Sequence, residues 1–110
     1  IREILTYIEI HYASPLTLEE IAKHIHLCRS ECSRLFKRYM KTSLFDFILK
    51  YRIEKSLGFL GDGQYSVKET AERCGFGDSN YYAKVFRRFK GCSPMAYRKS
   101  LNKENRMENL

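Results

Sequence analysis

Ser66-Val67-Lys68-Glu69-Thr70-Ala71-Glu72-Arg73-Cys74-Gly75-Phe76 is the stretch on which the fold turns. Ser66 with Glu69 three residues on is a capping box: each side chain satisfies a backbone N–H of the other, which predicts a helix start. Val67, Thr70, Ala71 and Cys74 recur at helical spacing and make one inward face. Gly75 suits the left-handed position that ends a helix, and Phe76 plugs the junction after it. Asp78 then caps a second helix, with Tyr82, Val85, Phe86 and Phe89 facing inward and Gly91 closing it. A short helix, a tight turn and a longer basic helix make a helix-turn-helix motif. Ser93-Pro94 supplies a cap plus a first-turn proline for a last helix through Met95, Tyr97 and Leu101. The tail after Asn102 is polar and is expected to fray.

The same order occurs upstream. Thr17 with Glu20 is a capping box, and Leu18, Ile21, Ala22 and Ile25 make the inward face of a short helix. His26-Leu27-Cys28 is a tight connection to a second helix over about 29–40, with Cys32, Leu35, Phe36 and Tyr39 inward. Arg34-Leu35-Phe36-Lys37-Arg38 aligns with Lys84-Val85-Phe86-Arg87-Arg88 at an offset of 50, and Ile21-Ala22 with Thr70-Ala71 at 49. One residue missing from a turn accounts for the difference. Ala22 and Ala71 place a small side chain where the paired helices cross closely. Ahead of the first motif, residues 1–12 read as a helix with an apolar stripe of Ile1, Ile4 or Leu5, Ile8 and Tyr12, broken by Ser14-Pro15. After it, Lys41-Thr42-Ser43 is a short break. A helix over 44–60 follows, apolar at Leu44, Phe47, Ile48, Tyr51, Leu57 and Leu60, and Gly61-Asp62-Gly63 ends it. Two helix-turn-helix units joined by a rod is the simplest reading of this internal repeat.

The chain has 110 residues, 44% hydrophobic and 30% charged, a composition that excludes a disordered polymer. No apolar run reaches the roughly 20 residues of a membrane span. No signal peptide is expected, because Arg2, Glu3 and Glu9 interrupt the first twelve residues and no cleavage motif follows. The chain does not begin with Met, and a neighbouring domain beyond it is expected. Twenty basic against 13 acidic side chains give +7. The excess is confined to two segments. Residues 29–41 carry Arg29, Arg34, Lys37, Arg38 and Lys41 against Glu31, and residues 79–99 carry Lys84, Arg87, Arg88, Lys90, Arg98 and Lys99 with no acid. Two separated basic patches suit a polyanion.

Most of each patch falls on the second helix of a motif, with Lys41 just past the first and Arg98 and Lys99 on the last helix. The outward faces carry Arg29, Ser30, Ser33, Arg34 and Lys37 on the first, and Ser79, Asn80, Tyr81, Ala83, Lys84 and Arg87 on the second. A major groove about 12 Å wide admits one such helix, where Arg forks onto guanine, Asn onto adenine, and Ala or a Tyr ring packs on a thymine methyl. Lys37, Arg38, Arg87, Arg88 and Lys90 lie later or further round and suit phosphates. Arg29 and Tyr81 are placed with this backbone-contacting set. Tyr81 is equally open to stacking on a base and to covering the helix junction.

At these residues the sequence resembles the C-terminal DNA-binding domain of the AraC/XylS family of bacterial transcription regulators, over about residues 1–100. The resemblance is carried by Glu69 to Phe76, Asp78-Ser79-Asn80-Tyr81-Tyr82, and the run Val85-Phe86-Arg87-Arg88-Phe89-Lys90-Gly91-Cys92-Ser93-Pro94-Met95-Ala96-Tyr97-Arg98. It implies an all-α domain of about seven helices, forming two helix-turn-helix subdomains joined by a long linker helix. The expected divisions are 1–43, 44–60, 61–102 and a polar tail 103–110. It also implies that each subdomain presents a recognition helix to adjacent major-groove segments on one DNA face. Carried over by position, the base-contacting residues are Ser30, Ser33 and Arg34, then Ser79, Asn80, Ala83 and Lys84. Arg52 on the rod holds a usual family arginine position, structural or close to the DNA backbone. The implied partner is double-stranded DNA, with RNA polymerase as a further partner and a separate effector-binding or dimerising domain. The implied place is the bacterial cytoplasm, with the nucleoid when bound. Five residues depart from the family pattern: Cys28 where a capping Ser is common, Lys41 where Gly is common, Thr70 where a larger aliphatic is common, and small Ser30 and Ser33 where some relatives carry larger readers. A thiol accepts poorly, which weakens the cap, and Lys41 is expected to cost strain.

Other chemistries are poorly served. His24, His26, Cys28 and Cys32 are close in sequence, but Cys32 and Cys74 take inward helical positions and the spacing lacks matched metal-ligand pairs. The cysteines read as small buried hydrophobes, with Cys92 a partly buried turn residue. No carboxylate pair, phosphate-cradling Gly loop or nucleophile elbow indicates an enzyme, and no cofactor is expected. The competing reading is a helical module that binds an acidic protein without base-specific DNA recognition. RNA binding is less favoured, since no exposed-base platform is evident.

Overall fold

The computed structural model describes residues 1–108, and side chains through Lys103. Seven helices and no strand occur among the described residues. They fall into two compact units, Ile1–Tyr51 and Arg52–Leu110.

The first unit holds α1 (Arg2–His11), α2 (Leu18–His24) and α3 (Arg29–Met40). The long α4 (Leu44–Asp62) begins in this unit and ends in the second. Thr17 starts α2 as its spacing predicts, its Oγ1 accepting from Glu20 N at 3.1 Å. Ile4 and Ile8 of α1, Ile21 and Ala22 of α2, Cys32 and Phe36 of α3, and Leu44 and Ile48 of α4 form one buried cluster. Burying a side chain such as Ile or Phe is worth about 1.5–3 kcal/mol, so this cluster holds the four pieces together. Tyr39 departs from the expected inward face: it is 62% exposed. Positions four apart, Cys32, Phe36 and Met40, follow the core more closely at 3.6 residues per turn, and Met40 packs against the cluster instead.

In the second unit, the end of α4 packs with α5 (Val67–Arg73), α6 (Ser79–Lys90) and α7 (Pro94–Glu108). The box at Ser66 is complete: Ser66 Oγ accepts from Glu69 N at 3.0 Å, and Ser66 N donates to Glu69 Oε1 at 3.2 Å. The backbone and side-chain bonds from Ser66 hold the Glu69 carboxyl below its usual range. Ile53, Leu60, Ala71, Cys74, Phe76, Tyr82, Val85 and Phe86 are buried. The aromatic rings of Phe76, Tyr82, Phe86 and Tyr97 follow one another with centroids 5.1–5.7 Å apart. Two element ends lie further on than the sequence placed them. The rod continues from Leu60 to Asp62 before Gly63 turns it at φ 76. The last helix passes Asn102 and runs through Glu108, because Lys, Glu, Arg and Met favour helix and no Gly or Pro interrupts them. The remainder of the expected tail, residues 109 and 110, lies outside the described residues.

Each unit repeats one turn geometry. Leu27 N donates to Ala22 O, and Phe76 N to Ala71 O, both at 2.9 Å. Gly75 at φ 90 fills the left-handed position in the second unit, and His26 at φ 60 fills it in the first. The extra residue that separates the two offsets is Gly77, which stands between Phe76 and the cap Asp78. In the first unit Leu27 leads directly to Cys28.

Candidate nucleic-acid interface

On α3, burial of Cys32 and Phe36 turns the opposite stripe outward. Arg29, Ser30, Ser33, Arg34, Lys37 and Arg38 are all exposed. Arg29, Ser30 and Ser33 line one shallow hollow with Leu18 of α2, of about 300 Å³. Arg34 and Arg38 line another with Glu31 and Leu35, of about 470 Å³. The helix start is unusual. Cys28 occupies the cap position without a side-chain bond to the backbone, and its Sγ donates to Glu31 Oε1 at 3.0 Å. Arg29 Nη1 lies 3.3 Å from Glu19 Oε1, with both side chains about two-thirds exposed. Such a pair is worth well under about 1 kcal/mol and opens readily to a phosphate.

On α6, Tyr82, Val85 and Phe86 are buried, which presents the other side. Asn80, Lys84, Arg87 and Arg88 are exposed, and Ser79 and Ala83 are half-buried. Asp78 Oδ1 accepts from Asn80 N at 2.9 Å and fixes the first turn on which Asn80 stands. Gly91 at φ 77 ends the helix without a steric penalty. Tyr81 is 42% exposed, with its ring centroid 6.0 Å from that of Phe76. It therefore covers the helix junction with one face and offers the other to solvent. Half-buried Arg52 acts electrostatically on the Tyr81 and Cys74 side chains, and burial pushes its guanidinium below the ordinary value. Arg88 lies over the Phe89 ring at 4.9 Å.

Two cations of the basic segment 79–99 are engaged within the chain. Lys90 Nζ lies 2.6 Å from Glu54 Oε1. Arg98 donates through Nε to Leu60 O at 3.1 Å, and through its second arm to Tyr65 O. It thereby satisfies a carbonyl near the end of α4. Sequence reasoning counted Arg98 as a charge and a family position without its partners, and passed over Glu54 and Ser56. For Ser56 a signal was present: it falls between Ile53 and Leu60 on the inward stripe of the rod, where a hydroxyl needs a partner. Glu31 was counted only as a charge, although it lines the same hollow as Arg34. Among the described residues no group of three or more His, Cys, Asp or Glu side chains is placed to hold a metal ion. No helix among them is long and apolar enough to cross a membrane. All four cysteines are free thiols, Cys32 and Cys74 buried and Cys28 exposed.

A family model described as a helix-turn-helix domain matches residues 21–100. YdeC of Bacillus subtilis, an uncharacterized HTH-type transcriptional regulator, is 36% identical over 98 residues, covering 89% of this chain and 34% of its own length. The regulatory protein PocR of Salmonella typhimurium is 29% identical over 99% of this chain and 36% of its own length. The chain thus spans about a third of the curated relatives it matches. Among solved structures, the DNA-binding domain of the global transcriptional factor AdpA, in complex with a target DNA, is similar with a TM-score of 0.89 at 26% identity, covering 94% of this chain and 93% of that one. The C-terminal domain of AraT, a response regulator from Geobacillus stearothermophilus, has a TM-score of 0.86 at 30% identity, covering 90% and 83%.

Proposed function

The chain belongs to the AraC-type helix-turn-helix family, and from that premise we propose that it binds double-stranded DNA sequence-specifically in bacterial transcription regulation. The α3 and α6 helices each enter one major-groove segment. One observation carries this reading: both helices, in a repeated setting, bury an apolar stripe and turn outward base-reading side chains flanked by cations. The likeness to the AdpA domain, which was solved on DNA, supports it. Ser30, Ser33 and Arg34 read bases from α3, and Ser79, Asn80, Ala83 and Lys84 from α6. Arg29, Lys37, Arg38, Tyr81, Arg87 and Arg88 meet the backbone; Lys90, expected with them, is paired with Glu54. Direct base contacts specify and phosphate contacts position, so the two sets differ in what their loss does. The protein acts by binding rather than by catalysis, in the cytoplasm where bacterial DNA lies. RNA polymerase and an effector-binding or dimerising domain are its further partners.

Selection of bound duplexes from a random pool, followed by footprinting at two salt concentrations, tests the whole reading. Two protected major-groove segments are expected, and the footprint gives their spacing. Arg34→Ala or Asn80→Ala should relax preference at one or two base pairs, at about 1–3 kcal/mol each. Lys37→Ala or Arg87→Ala should weaken all duplexes alike and shallow the salt dependence by about 0.9. An unchanged preference in Arg34→Ala would show that Arg34 does not read bases. Equal binding to duplex and to an equally charged polymer would favour the protein-interaction module.

A further inference from the structure

Two polar side chains of α4 are engaged with α6 and have no part in the contacts assigned above. Tyr82, in the first turns of α6, is fully buried, and its hydroxyl donates to Ser56 Oγ at 2.8 Å. Ser56 is also fully buried and donates in turn to Ile53 O at 2.6 Å. The phenol is thus tied to the α4 backbone through one buried side chain. A buried hydroxyl is costly to leave unpaired, so this bond confines Tyr82 to one rotamer and one height along α4. Burial pushes the Tyr82 hydroxyl up to about 12, which keeps it a donor across the physiological range. At the far end of α6, Lys90 Nζ meets Glu54 Oε1 at 2.6 Å. The Lys90 side chain is only 25% exposed, so this cation is less free to swing than a surface lysine.

The two ties have a geometric consequence. A helix held at one point can pivot about it. Tyr82 and Lys90 are eight residues apart, about 12 Å along the axis, and two ties at that separation fix the helix direction. Ala83, Lys84 and Arg87 lie between them, and Asn80 stands just before. Bidentate base contacts depend on the angle at which a side chain arrives, whereas phosphate contacts tolerate more movement.

We propose that Ser56 and Glu54 are positioning residues for DNA recognition: through Tyr82 and Lys90 they set the angle at which α6 presents Asn80, Ala83 and Lys84 to the bases. This rests on the DNA-binding reading above. It also takes Lys90 out of the phosphate-contacting set, since its ammonium serves Glu54.

The test uses the 110-residue chain, a selected duplex, and two further duplexes in which either the α3 segment or the α6 segment is scrambled. Lys90→Gln and Glu54→Gln each remove one charge outside the buried core and leave that core intact. Each should lower discrimination of the α6 segment about 5- to 10-fold, the equivalent of part of one base contact. The double variant should be no worse than either single one, because both remove the same tie. Discrimination of the α3 segment and the slope of affinity against salt should stay unchanged. The charge-swapped pair Glu54→Lys with Lys90→Glu should recover most of the loss. Tyr82→Phe leaves Ser56 bonded to Ile53 O, so the fold is kept, and it should blunt the α6 segment in the same way.

Other results overturn the proposal. If Lys90→Gln shallows the salt slope by about 0.9 and Glu54→Gln tightens every duplex, Lys90 is a phosphate ligand. Undiminished α6 discrimination in all three single variants shows that the ties do not set the reading angle. A wild-type chain with no preference among the three duplexes sinks the DNA reading itself, and the proposal with it. That failure is distinguishable because it appears without any substitution.

Discussion

His26 and Lys41 do in the first unit, without glycine, what Gly75 and Gly91 do in the second. Their φ values are 60 and 61, against 90 and 77 for the glycines. For an L residue the left-handed region costs roughly 1–2 kcal/mol, because Cβ crowds the following carbonyl. Lys41→Gly is therefore expected to raise stability by about 1 kcal/mol, and Gly91→Ala to lower it by a similar amount. Nothing lies within 4 Å of a Cβ built at Gly91, so its penalty is one of backbone alone. Urea titration of each variant checks both signs, and a Lys41→Gly midpoint at or below that of the parent contradicts them. The Lys41 strain was legible in the sequence, since an offset of 50 sets it opposite Gly91. The matching strain at His26 was not. The offset of 49 that aligns Ala22 with Ala71 does set His26 opposite Gly75, but nothing in the side chain of a histidine marks a left-handed backbone.

At the level of the helix, the starts are unequal. Asp78 and Ser66 accept backbone N–H bonds, whereas Cys28 makes none. A hydroxyl in place of the Cys28 thiol should accept from the backbone where the thiol does not, so Cys28→Ser is expected to add about 0.5–1 kcal/mol, while Ser66→Ala should remove about 1. Thermal melting followed by far-UV circular dichroism reads both, and a destabilising Cys28→Ser would mean that the thiol bond to Glu31 matters more than a cap. Four helix starts were legible because Thr17, Ser66, Asp78 and Ser93 each offer a capping side chain. The end of α7 was not, because its polar run carries no Gly or Pro to stop it. The exposed faces proposed to read bases were legible as the complement of the buried stripes. The ties of Lys90 to Glu54 and of Arg98 to Leu60 were not, since the partners are 36 and 38 residues apart and no local pattern links them.

For the molecule as a whole, net charge and buried acids set the response to solution conditions. The +7 overstates what faces a polyanion, because Lys90 and Arg98 are turned to acceptors of the chain itself. With Arg29, Lys37, Arg38, Arg87 and Arg88 as the phosphate set, the logarithm of affinity should fall with the logarithm of salt with a slope of roughly −4 to −5. A slope of roughly −6 or steeper would mean that every excess charge takes part. Stability has its own dependence. Burial pushes Cys74 from 9.0 up to about 11 and Tyr82 from 10.0 up to about 12. Both are neutral in the fold, and the unfolded chain ionises them first. The stabilisation is whole below pH 9 and drains away as pH climbs through 11 to 12. Melting temperature should therefore decline from pH 9 upward, and Tyr82→Phe should flatten the decline above pH 10; an identical profile in that variant would rule the phenol out as a cause. The uncapped start and left-handed lysine end of α3, beside the capped start and glycine end of α6, have one more consequence. In heavy water, deuterium should enter the terminal amides of α3 before those of α6. The two equivalent helices of one repeat should thus breathe at different rates, and a bound duplex should slow the first more than the second.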